Sequence, residues 1–415
     1  MEILQNKSLK ETLWSFLSKG ATIILFLIIN IILARSLGVE SFGLWSLFLS
    51  VITILFTLSY FGINASTKKF VAQYNKTSKL RGVLISSIKL RIIFSLIFSL
   101  LLLVSYKPLS LLINPELEIL FLYGVPLIFF SGLVQFQKNV FMGLHRLKYN
   151  FIVNLSEFGL KLLLVILFLL FSNSVISVIN SFVVALLITS IVGGYLLFFN
   201  FYKPLAKTSQ NFTKEIINYS YPLIFISLGF IVLTEIDTVM IGIFSTSSEV
   251  GIYGIAKQIV IKLPHLSLAI AMGTMPVFAK MNENNKLELK KKLFNLLKIV
   301  SGIYGVIVIG LLLFSPFFIP LIFGKEYIDS ILPLQILSIY TFMFAISIIL
   351  GQFLDYTGRA KKRAYNVSVT IILNIILNLI LIPQFGGVGA AIATTVSYFP
   401  YAILNWMEVK KIFGL

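Results

Sequence analysis

No cysteine occurs in these 415 residues, which excludes disulfides and thiolate metal sites, and two histidines, His145 and His265, are too few for a histidine-built metal cluster. Charge is scarce as well. Only 12% of residues are charged against 58% hydrophobic, and a mean hydropathy of +0.97 excludes an ordinary soluble globular chain. Acidic residues are the rarer sign, 16 against 34 basic, and the net charge of +18 invites a nucleic-acid reading that the placement of those charges argues against. No Gly-rich stretch follows a strand pattern, so Gly62, Gly193-Gly194 and Gly386-Gly387-Val388-Gly389 read as hinges or close-packing points, not phosphate loops.

Long apolar runs are what the chain has instead. Twelve stretches fall at 13–34, 42–62, 84–105, 118–137, 151–171, 176–199, 217–244, 250–278, 294–314, 328–351, 365–382 and 388–407, each near the ~20 residues that cross hydrocarbon. The expected fold class is therefore an all-α polytopic membrane protein with twelve transmembrane helices and no sizeable soluble domain. The first run is too long for a signal-peptide core and lacks a small-residue cleavage site, so it reads as a retained span. Basic residues fall on alternate connections. Lys89 and Arg91 close one cluster that begins at Lys68, Lys138 opens another with Arg146 and Lys148, others run from Lys203 to Lys214, Lys280 to Lys298 and Arg359 to Arg363, and both termini are basic; the alternate connections carry only Arg35, Lys107 and Lys325. Short basic loops stay in the cytoplasm, which predicts a multi-pass protein of the cell membrane with both termini cytoplasmic. The positive balance is thus a topology signal, and no nucleic-acid partner is expected.

Part of the sequence recurs. Arg35-Ser-Leu-Gly-Val-Glu-Ser-Phe-Gly-Leu-Trp45 after the first span is echoed by Ser245-Thr-Ser-Ser-Glu-Val-Gly-Ile-Tyr253 after the seventh, with Gly43 matching Gly251. Pro108 corresponds to Pro316, and Gly143-Leu-His-Arg-Leu-Lys-Tyr149 resembles Gly358-Arg-Ala-Lys-Lys-Arg-Ala-Tyr365. Basic links around 65–83 and 280–293 read as surface-lying amphipathic segments. Echoes in the same order predict two six-helix bundles, residues 1–205 and 206–415, joined through a polar linker near 203–211. Six is even, so both bundles enter from one side, as a parallel repeat with a cleft between them.

Ionisable groups inside spans are the candidates for function, because at bilayer depth they cost several kcal/mol unless paired or wet. Glu235 and Asp237 lie in the seventh span, and Lys257, Lys262 and His265 in the eighth. Glu235 and Lys257 are equally far from Thr246, so two antiparallel helices bring them to one depth, roughly 12 Å inside their ends. The pair either glues the helices or leaves a member facing solute. Glu235 and Asp237 are about 200° apart around a helix and cannot share a cavity, while Lys257, Lys262 and His265 would form one cationic face. Glu157 and Lys161 are i,i+4 with the acid first, a self-neutralising order. Lys19 near the end of the first span either snorkels or faces the cleft. Asn366, Thr370, Asn374 and Asn378 make a polar stripe at steps of four, serving helix packing or a sugar-binding wall.

The stretches Leu33-Ala-Arg-Ser-Leu-Gly-Val-Glu-Ser-Phe-Gly43, Ile236-Asp237…Met240-Ile-Gly242-Ile-Phe and Leu381-Ile-Pro-Gln-Phe-Gly-Gly-Val-Gly-Ala-Ala391-Ile-Ala-Thr resemble the polysaccharide and oligosaccharide flippase branch of the multidrug/oligosaccharidyl-lipid/polysaccharide exporter superfamily. The resemblance implies a V-shaped cleft of alternating access that moves a polyprenyl- or dolichyl-(pyro)phosphate-linked glycan from the cytoplasmic to the outer leaflet, in a monomer needing no cofactor. It also implies a cationic cavity, which Lys257, Lys262 and His265 match. A cation-coupled multidrug exporter of the same superfamily is the alternative, with Glu235 and Asp237 as coupling acids. A membrane glycosyltransferase is disfavoured, because the longest outer connection, around 106–117, offers only Lys107 and Glu116 before Glu118 and no acid–base set. No enzymatic activity is expected.

Overall fold

The computed structural model describes residues 2–204, 210–264, 266–268, 270–271 and 286–414. Among them every regular element is a helix: α1 (Glu2–Tyr60), α2 (Ile63–Gln73), α3 (Leu80–Ile113), α4 (Leu117–Gly143), α5 (Leu147–Phe171), α6 (Val175–Leu197), α7 (Thr213–Phe244), α8 (Ser247–Val260), α9 (Lys286–Ile322), α10 (Ile331–Tyr356) and α11 (Ala360–Phe413), with one turn of π-helix at Phe198–Tyr202 and a 3-10 segment at Lys325–Ser330. Eight of the described helices are long and apolar enough to cross a membrane. Their surfaces are inverted relative to a soluble protein: Val104, Phe171, Phe317 and Leu321 are exposed while Arg91, Lys138, Glu157, Lys161, Asp237, Asn374 and Asn378 are buried. Lipid solvates the first set, and polar side chains hidden from it hold the helices together.

Two of the eight are far longer than one crossing needs, 48 residues within α1 and 54 in α11. Each is interrupted at a glycine, Gly38 with φ 73° and Gly386 with φ 52°. In α11 the interruption reverses the chain. Arg359 meets Glu408, Arg363 meets Tyr401, Asn366 meets Asn405 and Asn374 meets Thr394, pairs whose midpoints all fall within a few residues of Gly386. The element is a hairpin of two antiparallel helices, and Gly386 supplies the left-handed turn that an L side chain resists.

By its internal contacts the chain forms two compact units. The first comprises residues 1–38 and 48–231, the second 39–47 and 232–415, so the division runs through α7. In the first, α2 buries Ile63, Ser66, Thr67, Phe70 and Val71 and leaves Lys68 and Lys69 exposed, an amphipathic segment within the expected 65–83 link. It packs on α3 and α4, while α6 packs on α4 and α5. Asn154 on α5 donates to Ser18 Oγ on α1 at 2.9 Å. In the second unit, Leu289, Leu293, Leu296, Val300 and Tyr304 repeat at three and four residues and bury one face of α9 among Ala345, Ile349, Leu350, Phe353 and Leu354 of α10.

The eighth expected span, 250–278, is not one helix over its described part. Helix α8 stops at Val260 and residues 261–264 form a turn. Pro264 accounts for the stop, since its ring would strike the carbonyl four residues back, at Val260. Residues 272–278 of that expected span, 205–209 of the expected linker and 280–285 of the second basic link lie outside the described residues, as does His265.

Candidate functional site

In the second unit, Thr246 caps α8 by accepting the Glu249 amide at 3.3 Å, and the connection it makes turns α8 back along α7. Glu235 and Lys257 then meet as their equal distance from Thr246 requires. Lys257 Nζ lies 2.7 Å from Glu235 Oε2 and 2.8 Å from Thr238 Oγ1, with both charged side chains about one-sixth exposed, 15% and 16%. Lys262 sits half-buried in the turn after α8. Because the helix has ended there, Lys262 does not continue the helical face of Lys257, contrary to the expected cationic face.

Asp237, two residues from Glu235, points elsewhere and is held differently. Its Oδ2 accepts from Tyr253 OH at 2.9 Å and from Thr394 Oγ1, and its Oδ1 accepts from Asn378 Nδ2 at 2.6 Å. Asn378 also donates to Asn374 Oδ1 at 3.1 Å, and Asn374 donates to Thr394 Oγ1 at 3.3 Å. Asp237 is 3% exposed, and no lysine or arginine among the described residues forms an ion pair with it. Asn378 Oδ1, wholly buried, accepts from nothing among the described residues. Three neutral donors, a phenol, a hydroxyl and an amide NH2, thus converge on the Asp237 carboxylate, whose negative charge meets only neutral dipoles among its described hydrogen-bond partners.

In the first unit, Glu157 is shared by two lysines. Lys138 bonds one carboxylate oxygen and Lys161 the other, the latter at 2.6 Å, and all three side chains are about nine-tenths buried. Lys161 also lies 5.1 Å from the Phe158 ring centre and 4.9 Å from that of Phe182. On α3, Arg91 is fully buried. It donates to Ser59 O at 3.0 Å and Ser59 Oγ at 2.9 Å, and stacks 4.7 Å over Tyr60. Lys138 and Lys161 share one buried carboxylate and Arg91 forms no ion pair among the described residues, so these groups together carry excess positive charge in the described interior of this unit. Lys19, by contrast, is exposed on α1 and joins no ion pair among the described residues.

Lys138 and Arg91 correct the sequence reading, which had counted both as basic residues of connections. Helix α4 continues five residues past Lys138, and α3 begins eleven residues before Arg91. The signal was present in Val140-Phe-Met142 and in Leu84-Ile85 with Ile88, apolar residues on the loop side of each charge. Tyr253 and Thr394 were missed for another reason: neither carries charge, and only the fold brings them to Asp237.

Compared with known proteins, the sequence pattern described as "Polysaccharide biosynthesis protein" matches residues 8–282, and a second, "MatE", matches 222–380. The probable low-salt glycan biosynthesis flippase Agl15 of Haloferax volcanii is 28% identical over 207 residues, an alignment covering 48% of this chain and 43% of that protein. Among solved structures, an inward-facing multidrug resistance MATE family transporter of the MOP superfamily superposes with TM-score 0.80 at 16% identity, over 96% of this chain and 98% of that one. The lipid II flippase MurJ in an inward closed conformation superposes with TM-score 0.74 at 19% identity, over 97% and 89%. At these identities the two structures establish a shared fold and nothing more.

Proposed function

Because the chain belongs to the polysaccharide biosynthesis protein family, we infer that it is a flippase, a non-enzymatic transporter that moves a lipid-linked oligosaccharide or polysaccharide precursor from the cytoplasmic to the outer leaflet of the cell membrane. The flippase names borne by Agl15 and MurJ support the same reading. The observation that carries it in this chain is the buried cation excess of Arg91, Lys138 and Lys161 against Glu157. A polyprenyl- or dolichyl-linked glycan has an anionic (pyro)phosphate between its sugar and its tail. Lysines are suited to such a group as mobile point charges.

In this reading twelve spans form two six-helix bundles, residues 1–205 and 206–415, related by a parallel pseudo-two-fold, with a V-shaped cleft that alternates its access. Both termini are cytoplasmic and the monomer is the working unit. Lys257, Lys262, Glu235 and the Asn374–Asn378 stripe contribute to the substrate path, with His265 and Lys19 as further members. Asp237 is the coupling carboxylate, a role that its neutral surroundings favour over Glu235, already neutralised by Lys257. A cation-coupled drug exporter is the second reading, favoured by the "MatE" match.

The test uses the full chain in proteoliposomes containing a fluorescent polyprenyl-diphosphate oligosaccharide. Lys138→Met leaves Glu157 and Lys161 as a neutral pair, so the fold is spared while the excess charge falls. Its expected initial rate of glycan movement is at least tenfold lower, at unchanged protein yield. An unchanged rate would remove the cation cluster from the substrate path.

A further inference from the structure

The polar stripe of α11 does not end at Asp237. From Thr394 it runs through Tyr398, Tyr401 and Asn405 to Glu408 at steps of four, three, four and three, a spacing that keeps all five on one helix face. Asn378, Asn374, Thr370 and Asn366 descend the facing arm of the hairpin alongside them. Between Thr394 and Glu408 the rise is roughly 21 Å, more than half the ~30 Å of hydrocarbon.

Its members are buried: Tyr398 and Tyr401 are 5% exposed, and Asn366, Asn374, Asn378 and Asn405 are 4% or less. Partway along, at Tyr401, the stripe meets a partly exposed ion pair. There Arg363 ion-pairs with Asp355 and donates to Tyr401 OH at 3.4 Å, and the paired side chains are about one-third exposed, 30% and 32%. Tyr340 of α10 closes the flank, its ring 4.7 Å from that of Tyr398, which is 5.8 Å from Tyr401.

Helix glue alone explains Asn366 bonded to Asn405 at 2.9 Å. It does not explain the rest. Asn405 Nδ2 and Asn378 Oδ1 are buried without a hydrogen-bond partner among the described residues, one near each end of the stripe. Packing polar atoms against hydrocarbon neighbours would waste them, whereas a path that carries water uses both, Asn405 Nδ2 as donor and Asn378 Oδ1 as acceptor, and a cation uses the Asn378 oxygen. The stripe also begins at a carboxylate that forms no ion pair with a basic side chain among the described residues, and at Tyr401 it meets a partly exposed ion pair, the two termini that a cation route needs.

We propose that this column, Thr394–Tyr398–Tyr401–Asn405 against Asn374 and Asn366, is the path by which a monovalent cation passes between Asp237 and the aqueous phase at the Asp355 end of the second unit, with the Asp355–Arg363 pair as its gate. It rests on the reading of Asp237 as the coupling carboxylate. In the closed arrangement Arg363, held by Asp355 and Tyr401, sets a positive charge across the mouth. Loss of Arg363 removes that charge and opens it, whereas loss of Asp355 leaves the charge uncompensated.

The native chain has no cysteine, so one introduced thiol is the sole target of a thiol-reactive ion. Silver ion is monovalent, close to sodium in size, and binds thiolate. Full-length Thr394→Cys in proteoliposomes is exposed to silver nitrate in chloride-free buffer, and the unreacted thiol is then counted with a fluorescent maleimide in denaturant. Asn405→Cys reports the other end of the column, and Ile403→Cys, on the outward face of the same helix, is the control.

Silver is expected to react at Thr394→Cys and Asn405→Cys at least tenfold faster than at Ile403→Cys. Adding Arg363→Gln should accelerate Thr394→Cys severalfold and leave Ile403→Cys unchanged. Arg363→Met is the second gate variant and should do the same if Arg363→Gln is poorly folded. Reaction at Thr394→Cys no faster than the control, or equally fast with either gate variant as without, overturns the path. Protection of Thr394→Cys by sodium or by acid reads the coupling role of Asp237 separately. Reaction without protection keeps the path and removes the coupling.

Discussion

Two acids two positions apart on one helix hold their charge in different ways, so their substitutions differ in kind. Glu235→Gln strands Lys257, leaving it the neutral Thr238 hydroxyl. The expected loss of stability is on the order of 2–3 kcal/mol, below the range for a fully dry pair because both side chains keep some exposure. Adding Lys257→Met should restore most of it, since two neutral side chains cost less than one lone cation. Thermal denaturation of the purified protein reads the difference. A double variant no more stable than Glu235→Gln would mean that the two groups act separately. Asp237→Asn keeps shape and removes charge where no cation depends on it, so folding yield should hold while the response of transport to an imposed sodium or proton gradient is lost; a retained response would exclude Asp237 as the coupling group. The equal depth of Glu235 and Lys257 was readable from the sequence because a short connection fixes antiparallel register. Lys138 was not, because a lysine near a helix end reads as a loop residue until the partner on the next helix, Glu157, is known.

At the scale of the element, the two glycine interruptions convert two long helical runs into shorter ones. Gly386→Ala would force an alanine into φ 52°, ψ −130°, and its methyl would stand 2.5 Å from Glu249 Oε2, which accepts the Gly387 amide at 2.7 Å. A cost of about 1–3 kcal/mol for the backbone alone follows. The expected outcome is a lower melting temperature and reduced yield, read by fluorescence-detected gel filtration after heating; an unshifted melting curve would mean that the turn can be made another way. Gly386 stood out in the sequence as a hinge because it interrupts an apolar run; Gly38 did not, being read only as part of the Arg35–Trp45 echo. The echo of Gly43 in Gly251 also has a physical counterpart: a Cβ on Gly251 would lie 2.2 Å from Val39 O and 3.3 Å from Gly43 N, so the matched residues pack against each other backbone to backbone. The stop of α8 at Val260 was less legible. Apolar residues continue on both sides of Pro264, and hydropathy counts composition without regard to the missing amide.

For the whole molecule, membrane class and helical architecture followed from composition and run length, since uninterrupted apolar runs of about 20 residues cross hydrocarbon as helices that satisfy their own backbone. Buried chemistry followed less completely. The sequence marks which residues carry charge, but the Asp237 cluster draws on four helical segments, and its neutral donors Tyr253, Thr394 and Asn378 look like any other hydroxyl or amide until folding assembles them. Family membership and the cation excess around Glu157 together support the proposal of an anionic lipid-linked glycan as cargo. The most direct measurement reconstitutes the full chain into liposomes with a polyprenyl-diphosphate oligosaccharide labelled on its sugar, then follows the fraction an impermeant reagent can reach from outside. A flippase raises that fraction well above protein-free liposomes within minutes, and Lys138→Met slows the rise at least tenfold. A fraction equal to that of empty liposomes, with a cationic drug exported by the same vesicles, would contradict the assignment.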